Sequence, residues 1–204
     1  MPRNKSKKKT RGNLLSVIII ATFILLCYTT AEIDFDVHFH HIKPVIIKIK
    51  GGMIHLKTII NMYDHLHWAN QIMLETLQNT ETENSRAIRL FSHILFAETV
   101  WLTRMQEQDS SSLPIWQETT IADCKKMASR NQAGFTAFLD RLNETDLDRI
   151  ITYKNSKEAA FQNSIRDILT HVALHGHYHR GQINADLRTN HHEPVSIDFI
   201  TFVR

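Results

Sequence analysis

The sequence predicts an all-α fold: a four-helix bundle with a crossover connection, a short hairpin before the last helix, and a hydrophobic segment ahead of the bundle. Three observations carry that expectation. Apolar residues recur at three- and four-residue spacing in four stretches of about twenty residues each, the pattern of helices that bury one face. The 204 residues include only six Gly and four Pro, too few for the many tight turns of a sandwich or barrel. One long connection separates the third and fourth stretches, as in bundles with a crossover.

The first helix is expected from Ile54 to Leu77, with Ile59, Ile60, Met62, Tyr63, Leu66, Ile72, Met73 and Leu77 on its apolar face. A polar run from Asn79 to Ser85 ends it and offers Asn84 or Ser85 as the cap of the second helix. That helix carries Ile88, Leu90, Phe91, Ile94, Leu95, Ala97, Val100, Trp101 and Met105, and stops before Asp109 to Pro114. The third is expected from Thr120 to about Asn143, with Gly134 inside it at a cost of about 1 kcal/mol relative to Ala. Ile150 to Tyr153, a polar turn at Lys154 to Lys157, and Ala159 to Phe161 read as a hairpin placed in the crossover. The fourth helix opens at Asn163 or Ser164 and runs to Arg188, and a tail with Pro194 and Ile197 to Ile200 folds back on the bundle.

Residues 1–52 are of a different character. Arg3, Lys5, Lys7, Lys8, Lys9 and Arg11 supply more than the whole net charge of +3, so the remainder of the chain is mildly acidic. No basic face with interleaved aromatics is left to bind nucleic acid. Asn13 to Ala31 has one charge-free apolar run, long enough for a short membrane span or for the core of a signal peptide. With the basic cluster held in the cytoplasm, such an anchor would place the rest of the chain outside. A third reading starts translation at Met53, because Lys50, Gly51 and Gly52 can be encoded by a purine-rich ribosome-binding sequence. The protein would then be cytoplasmic, with residues 53–204 as its single domain. Two cysteines, Cys27 and Cys124, make no disulfide framework.

The chemistry concentrates in the fourth helix. His171, His175 and His179 are spaced by four, so each is rotated by only about 40° from the last and all three share one face. Neutral imidazole is the commonest protein ligand for divalent transition metals. Two ligands one turn apart bind weakly alone, and His93, set in the apolar second helix, is a candidate third. His177 falls on another face and is expected to be exposed. Without cysteine clusters, any metal must be held by nitrogen and oxygen. Among the other polar residues, Asn70 needs a partner across the bundle if buried. Glu98 is a candidate base for hydrolysis, or a surface carboxylate or the partner of a buried Arg. Arg180 and Gln182 suit either an acidic substrate group or bonds to a ligand imidazole. Trp68 and Trp101 are candidates for core or pocket.

From Met53 onward the chain resembles the DinB-like family of four-helix bundles. The resemblance rests on Trp68-Ala69-Asn70, on His93 to Glu98 with Trp101 and Leu102, on His171-Val172 through His175, on Tyr178 to Ile183, and on Pro194 with Asp198-Phe199-Ile200. It implies that the second and third helices run parallel. It further implies a divalent metal, zinc or nickel, held by His93, His175 and His179, with His171 as a supporting residue one turn away. Family members resembling characterised enzymes activate a low-molecular-weight thiol for transfer or isomerisation. The resemblance therefore implies a metal-dependent transferase that moves a small thiol onto an electrophilic substrate. Two alternatives stand beside it, a hydrolase using metal-bound water and a non-catalytic metal-stapled binding or stress-response protein. Specific catalytic residues are not assigned, a homodimer is compatible with the sequence, and a membrane partner is implied only if residues 13–31 are an anchor.

Overall fold

The computed structural model describes residues 53–79, 86–155 and 158–204. The expectations for residues 1–52, including the apolar run 13–31, and for the Asn84/Ser85 cap lie outside the described residues. Among the described residues no helix is long and apolar enough to cross a membrane.

Four long helices form the body: α1 (Met53–Gln78), α2 (Arg86–Met105), α3 (Ile121–Leu139) and α4 (Ile165–Thr189). Between α3 and α4 lie a 3₁₀ turn (Glu144–Asp148) and the antiparallel strands β1 (Ile150–Lys154) and β2 (Ala160–Ser164); the short helix α5 (Phe199–Phe202) comes after α4. The hairpin register pairs Ile150 with Ser164 and Lys154 with Ala160.

Local chemistry sets several of these boundaries. Thr120 Oγ1 accepts from the Asp123 backbone N–H and Ser164 Oγ from that of Asp167, so each caps the first turn of its helix. The third helix ends at Leu139, four residues before the expected Asn143. Asn143 is instead extended, at φ −108° and ψ 173°, and caps the 3₁₀ turn in a reciprocal box with Asp146. A side chain that competes for backbone donors in this way shortens the helix before it.

Two apolar clusters fill the bundle. One gathers Met73, Leu77, Leu90, Phe91, Leu95, Cys124, Ala128, Ile183 and Leu187; the other gathers Tyr63, Leu66, Leu102, Met105, Phe135, Leu139, Ile168 and Val172. Ascending residue numbers lead from the first cluster to the second on both α2 and α3, and from the second to the first on α1 and α4. Hence α2 and α3 are parallel, as the family resemblance implies, and α1 and α4 oppose them. The connection that crosses over is therefore residues 106–120, between the parallel pair, and the expectation that put the crossover in the hairpin-bearing segment is corrected. The hairpin joins two antiparallel helices, α3 and α4. Gly134 is where the parallel helices touch: a Cβ there would lie 2.6 Å from Leu102 Cδ2, so its helix penalty is the cost of close approach.

The tail packs back, and ends in α5. Asn184 brackets Val195 with two hydrogen bonds, of 2.8 and 3.0 Å. His65 Nε2 donates to the Ile197 carbonyl at 2.8 Å, and Phe199 and Phe202 close on the His65 ring. In the first turn of α1, Glu144 accepts from the Leu56 backbone N–H at 3.0 Å, placing a carboxylate at a helix N-terminus, where the helix dipole favours it.

Candidate metal centre

His93, in the middle of α2, and His175 and His179, one turn apart on α4, meet at the seam between those helices. One ring nitrogen from each lies within 4.8 Å of the others. The ring centroids are 5.0 Å apart for His93 and His175, 4.7 Å for His93 and His179, and 4.5 Å for His175 and His179. Among the described residues this is the one cluster of three His, Cys, Asp or Glu side chains with such convergence. His171 does not join it. Its ring lies 5.5 Å from that of His175 and 5.2 Å from Trp101, on the outer part of the same stripe. His177 is exposed, turned toward His65.

Two of the three rings are oriented by oxygen acceptors. His93 Nδ1 donates to the Ile115 carbonyl at 3.0 Å, and His179 Nδ1 donates to Gln182 Oε1 at 2.8 Å. With Nδ1 holding the proton, each neutral ring keeps its lone pair on Nε2. Gln182 thus takes the imidazole-orienting alternative of its two expected roles. The acceptor for His93 comes from the crossover, which also brings Trp116 flat against the His93 ring, with centroids 3.7 Å apart and planes 1° from parallel. Arg89 sits over the same indole. Sequence reading missed Ile115 and Trp116, because nothing in a loop's composition says which side chain it lies upon.

Burial and the neighbouring rings favour the neutral form of His175 and His93. Burial pushes His175 down to about 4, helped by His179, His93, His171 and Arg180. His93 is also lowered, by burial and by His179, against the opposing pull of the Ile115 bond. Neutral imidazoles are the form that binds metal. The donor set is three nitrogens without a carboxylate or thiolate, which suits zinc, nickel or copper and not the oxygen-seeking calcium or magnesium.

Beside this cluster lies a buried polar layer, with one side chain from each long helix. Arg180 Nη1 donates to Asn70 Oδ1 at 2.7 Å, and Asn70 Nδ2 donates to Glu98 Oε1 at 2.9 Å. Asn131 Nδ2 donates to Glu98 Oε2 at 3.1 Å and to the Leu95 carbonyl at 2.9 Å, while Thr99 Oγ1 donates to Asn131 Oδ1 at 2.9 Å. Arg180, Glu98, Asn70 and Asn131 are each 2 % exposed or less. Burial raises the Glu98 pKa, against the bonds from Asn70 and Asn131 and the charge of Arg180. Burial also lowers Arg180 to about 10, still a cation at neutral pH.

This layer selects one of the alternatives expected for Glu98 and departs from those expected for Arg180. Glu98 is the partner of a buried Arg, joined to it through Asn70, and both its oxygens are engaged; it is not placed to act as a base at the histidines. Arg180 is fully buried and donates to Asn70, so it takes neither of its two expected roles, a bond to an acidic substrate group or to a ligand imidazole. Asn131 was missed, although its spacing from Cys124, Ala128, Phe135 and Phe138 puts a polar residue on the buried stripe of α3. Trp68 and Trp101 are both half-buried; Trp101 packs against Tyr153, His171 and the Arg104 guanidinium.

The comparison with curated proteins finds no match. Among solved structures, a crystal structure of a DinB-like protein from Bacillus cereus is similar over 69 % of this chain and 95 % of that chain, at 18 % identity and a TM-score of 0.46. The DinB family model matches residues 57–204, from the first turns of α1 through the end of α5. The chain belongs to the DinB family.

Proposed function

We propose that this protein is a metal-dependent enzyme that transfers a small thiol to an electrophilic substrate, with a divalent cation, zinc or nickel, held by His93, His175 and His179. The carrying observation is the convergence of three imidazoles on one locus, two of them fixed by oxygen acceptors in the tautomer that keeps Nε2 free. When bound, the cation would supply a Lewis acid that lowers the pKa of a thiol at neutral pH. Three protein ligands leave a coordination position for an exogenous group, as catalytic and not structural sites do.

The chain's own side chains do the positioning. Ile115 and Gln182 orient two ligand rings, and Trp116 covers one face of His93, so that ring cannot swing out without unstacking. Exposed Leu174 and Tyr178, 60 % and 64 % accessible, flank His175 and His179 in sequence on α4, and offer apolar contact to the electrophile. Because both Glu98 oxygens are committed to Asn70 and Asn131, the hydrolytic reading would rest on metal-bound water without Glu98 as its base.

The test is to purify the chain without chelators or a histidine tag and measure its metal content. Conjugation of small thiols to an electrophile is then assayed before and after metal removal and on readdition. Stoichiometric zinc or nickel with metal-dependent conjugation is expected. A metal-loaded protein that only hydrolyses esters or amides would replace the reaction, and a chain without affinity for either ion would remove the proposal.

A further inference from the structure

The buried layer has no part in the chemistry above, and its cost to the fold is large. Two charged groups and two amides lie in the core, and Arg180 Nε has no hydrogen-bond partner. Arg180 is the largest fully buried side chain among the described residues. Apolar residues of similar volume would fill such a space at no loss of stability, and often with a gain.

The layer's place in the fold suggests what it is for. It separates the two apolar clusters: Asn70 falls between Leu66 and Met73, Glu98 between Leu95 and Leu102, Asn131 between Ala128 and Phe135, and Arg180 between Val172 and Ile183. On α4 the layer interleaves with the ligand histidines, Gly176 coming directly after His175 and Arg180 directly after His179. Adjacent residues on a helix differ by about 100° in direction, so a rotation of α4 that moves Arg180 moves His175 and His179 by the same angle. The guanidinium lies against Gly176, where an added Cβ would stand 3.1 Å from Nη1 and 3.3 Å from Nη2. Hydrogen bonds are directional, whereas apolar packing tolerates small rotations and slips.

We propose that Arg180, Asn70 and Glu98 are positioning residues for the metal centre: the chain from Arg180 through Asn70 to Glu98 fixes the rotation and register of α4 against α2, and so the distance from His175 and His179 to His93. This rests on the reading of the three histidines as metal ligands. Asn131 and Thr99 complete the chain by holding the other Glu98 oxygen and tying it to α3. Gly176 is part of the device, because it makes room for the guanidinium beside the ligand pair.

Cobalt(II) titration of the full chain tests this, since its visible spectrum reports coordination geometry while its binding curve reports affinity. The parent is compared with a triple variant, Asn70→Leu with Glu98→Leu and Arg180→Met, and with Gly176→Ala. Urea unfolding of each is measured in EDTA. The triple variant is expected to unfold at the parent's urea concentration or higher, yet to bind cobalt at least tenfold more weakly with an altered spectrum, the scale on which groups behind metal ligands act. Gly176→Ala is expected to weaken binding in the same direction while remaining folded, and it decides the matter if the triple variant does not fold. Folded variants with the parent's affinity and spectrum would overturn the positioning role and leave the metal reading intact. A parent that binds no cobalt would instead overturn the metal reading, and this role with it.

Discussion

The histidine cluster and the buried layer share α2 and α4 and are built on opposite physical terms. At the cluster, three like groups converge with their lone pairs free, an arrangement that gains nothing in the fold without a fourth party. At the layer, unlike groups face each other, and the amides and the carboxylate satisfy one another almost completely. One region is poised for a ligand and the other is closed to any. The difference shows up in part in the burial: His175 and His179 are only half-buried, though His93 is buried, whereas the four layer residues have essentially no exposure. The contrast teaches that burial of polar groups does not by itself mark a candidate site; convergent imidazoles that the fold leaves without one another's bonds do.

Breaking one member of the layer should give the largest effect. Glu98→Leu alone leaves the Arg180 charge buried without its counter-charge, and should lower unfolding free energy by about 3–5 kcal/mol, measured by urea denaturation at pH 7.5. An effect below about 1 kcal/mol would mean that the layer is far more hydrated than its exposure indicates.

Breaking the cluster should cost binding and not folding. His93→Ala, His175→Ala and His179→Ala are each expected to weaken zinc or nickel binding by more than about 100-fold, or about 2.7 kcal/mol, in a competition titration, with unfolding in EDTA little changed. His171→Ala should weaken it less than about tenfold, and His177→Ala not at all. If His171→Ala lost the ion while His179→Ala kept it, the ligand set would be displaced by one turn of α4.

A further imidazole sharpens the comparison, because it stands outside the cluster and its Nε2 is unpaired. His67 on α1 is buried beside Tyr63 and Phe135, and its Nε2 has no partner. Burial, with the charge of Arg180, holds its pKa down at about 4 from an ordinary 6.5. The folded state thus prefers neutral His67, while the unfolded chain takes up the proton below pH 6.5. Stability from this residue is full above that pH and is lost as pH falls toward 4, reaching a loss of about 2 kcal/mol by pH 5. Denaturation of His67→Leu should show a decline between pH 7.5 and 5 that is shallower by that amount; equal slopes would place the pH dependence elsewhere.

An effect smaller than the loss of any ligand is expected from the hydrogen bond that orients His179. Gln182→Ala removes the Nδ1 acceptor and should weaken metal binding by about tenfold, with no measurable change in unfolding in EDTA. An unchanged affinity would mean that water replaces the amide at no cost.

Much of the frame was legible beforehand. The four apolar stripes place the four helices, Ser164, one of the two starts offered for α4, is its cap, and the shared face of His171, His175 and His179 comes from a spacing of four alone. The hairpin was legible as well, although its second strand, expected over 159–161, runs over Ala160–Ser164 up to the cap of α4. The end of α3 was not, since Asn143 has to choose between extending one helix and capping the next turn, and its neighbours in space decide.

What the sequence by itself determined is therefore periodic and local: which faces are apolar, where the helices start, and that an imidazole row lies along one of them. Tertiary structure decided how those faces are turned toward each other. Arg180 meets Asn70 across 110 positions of sequence and His93 meets the Ile115 carbonyl across 22, and neither pairing leaves a periodic trace. The identity of a side chain fixes which bonds it is able to make, but which partner it finds depends on the rotation of one helix against another, a quantity set by every contact along the seam at once.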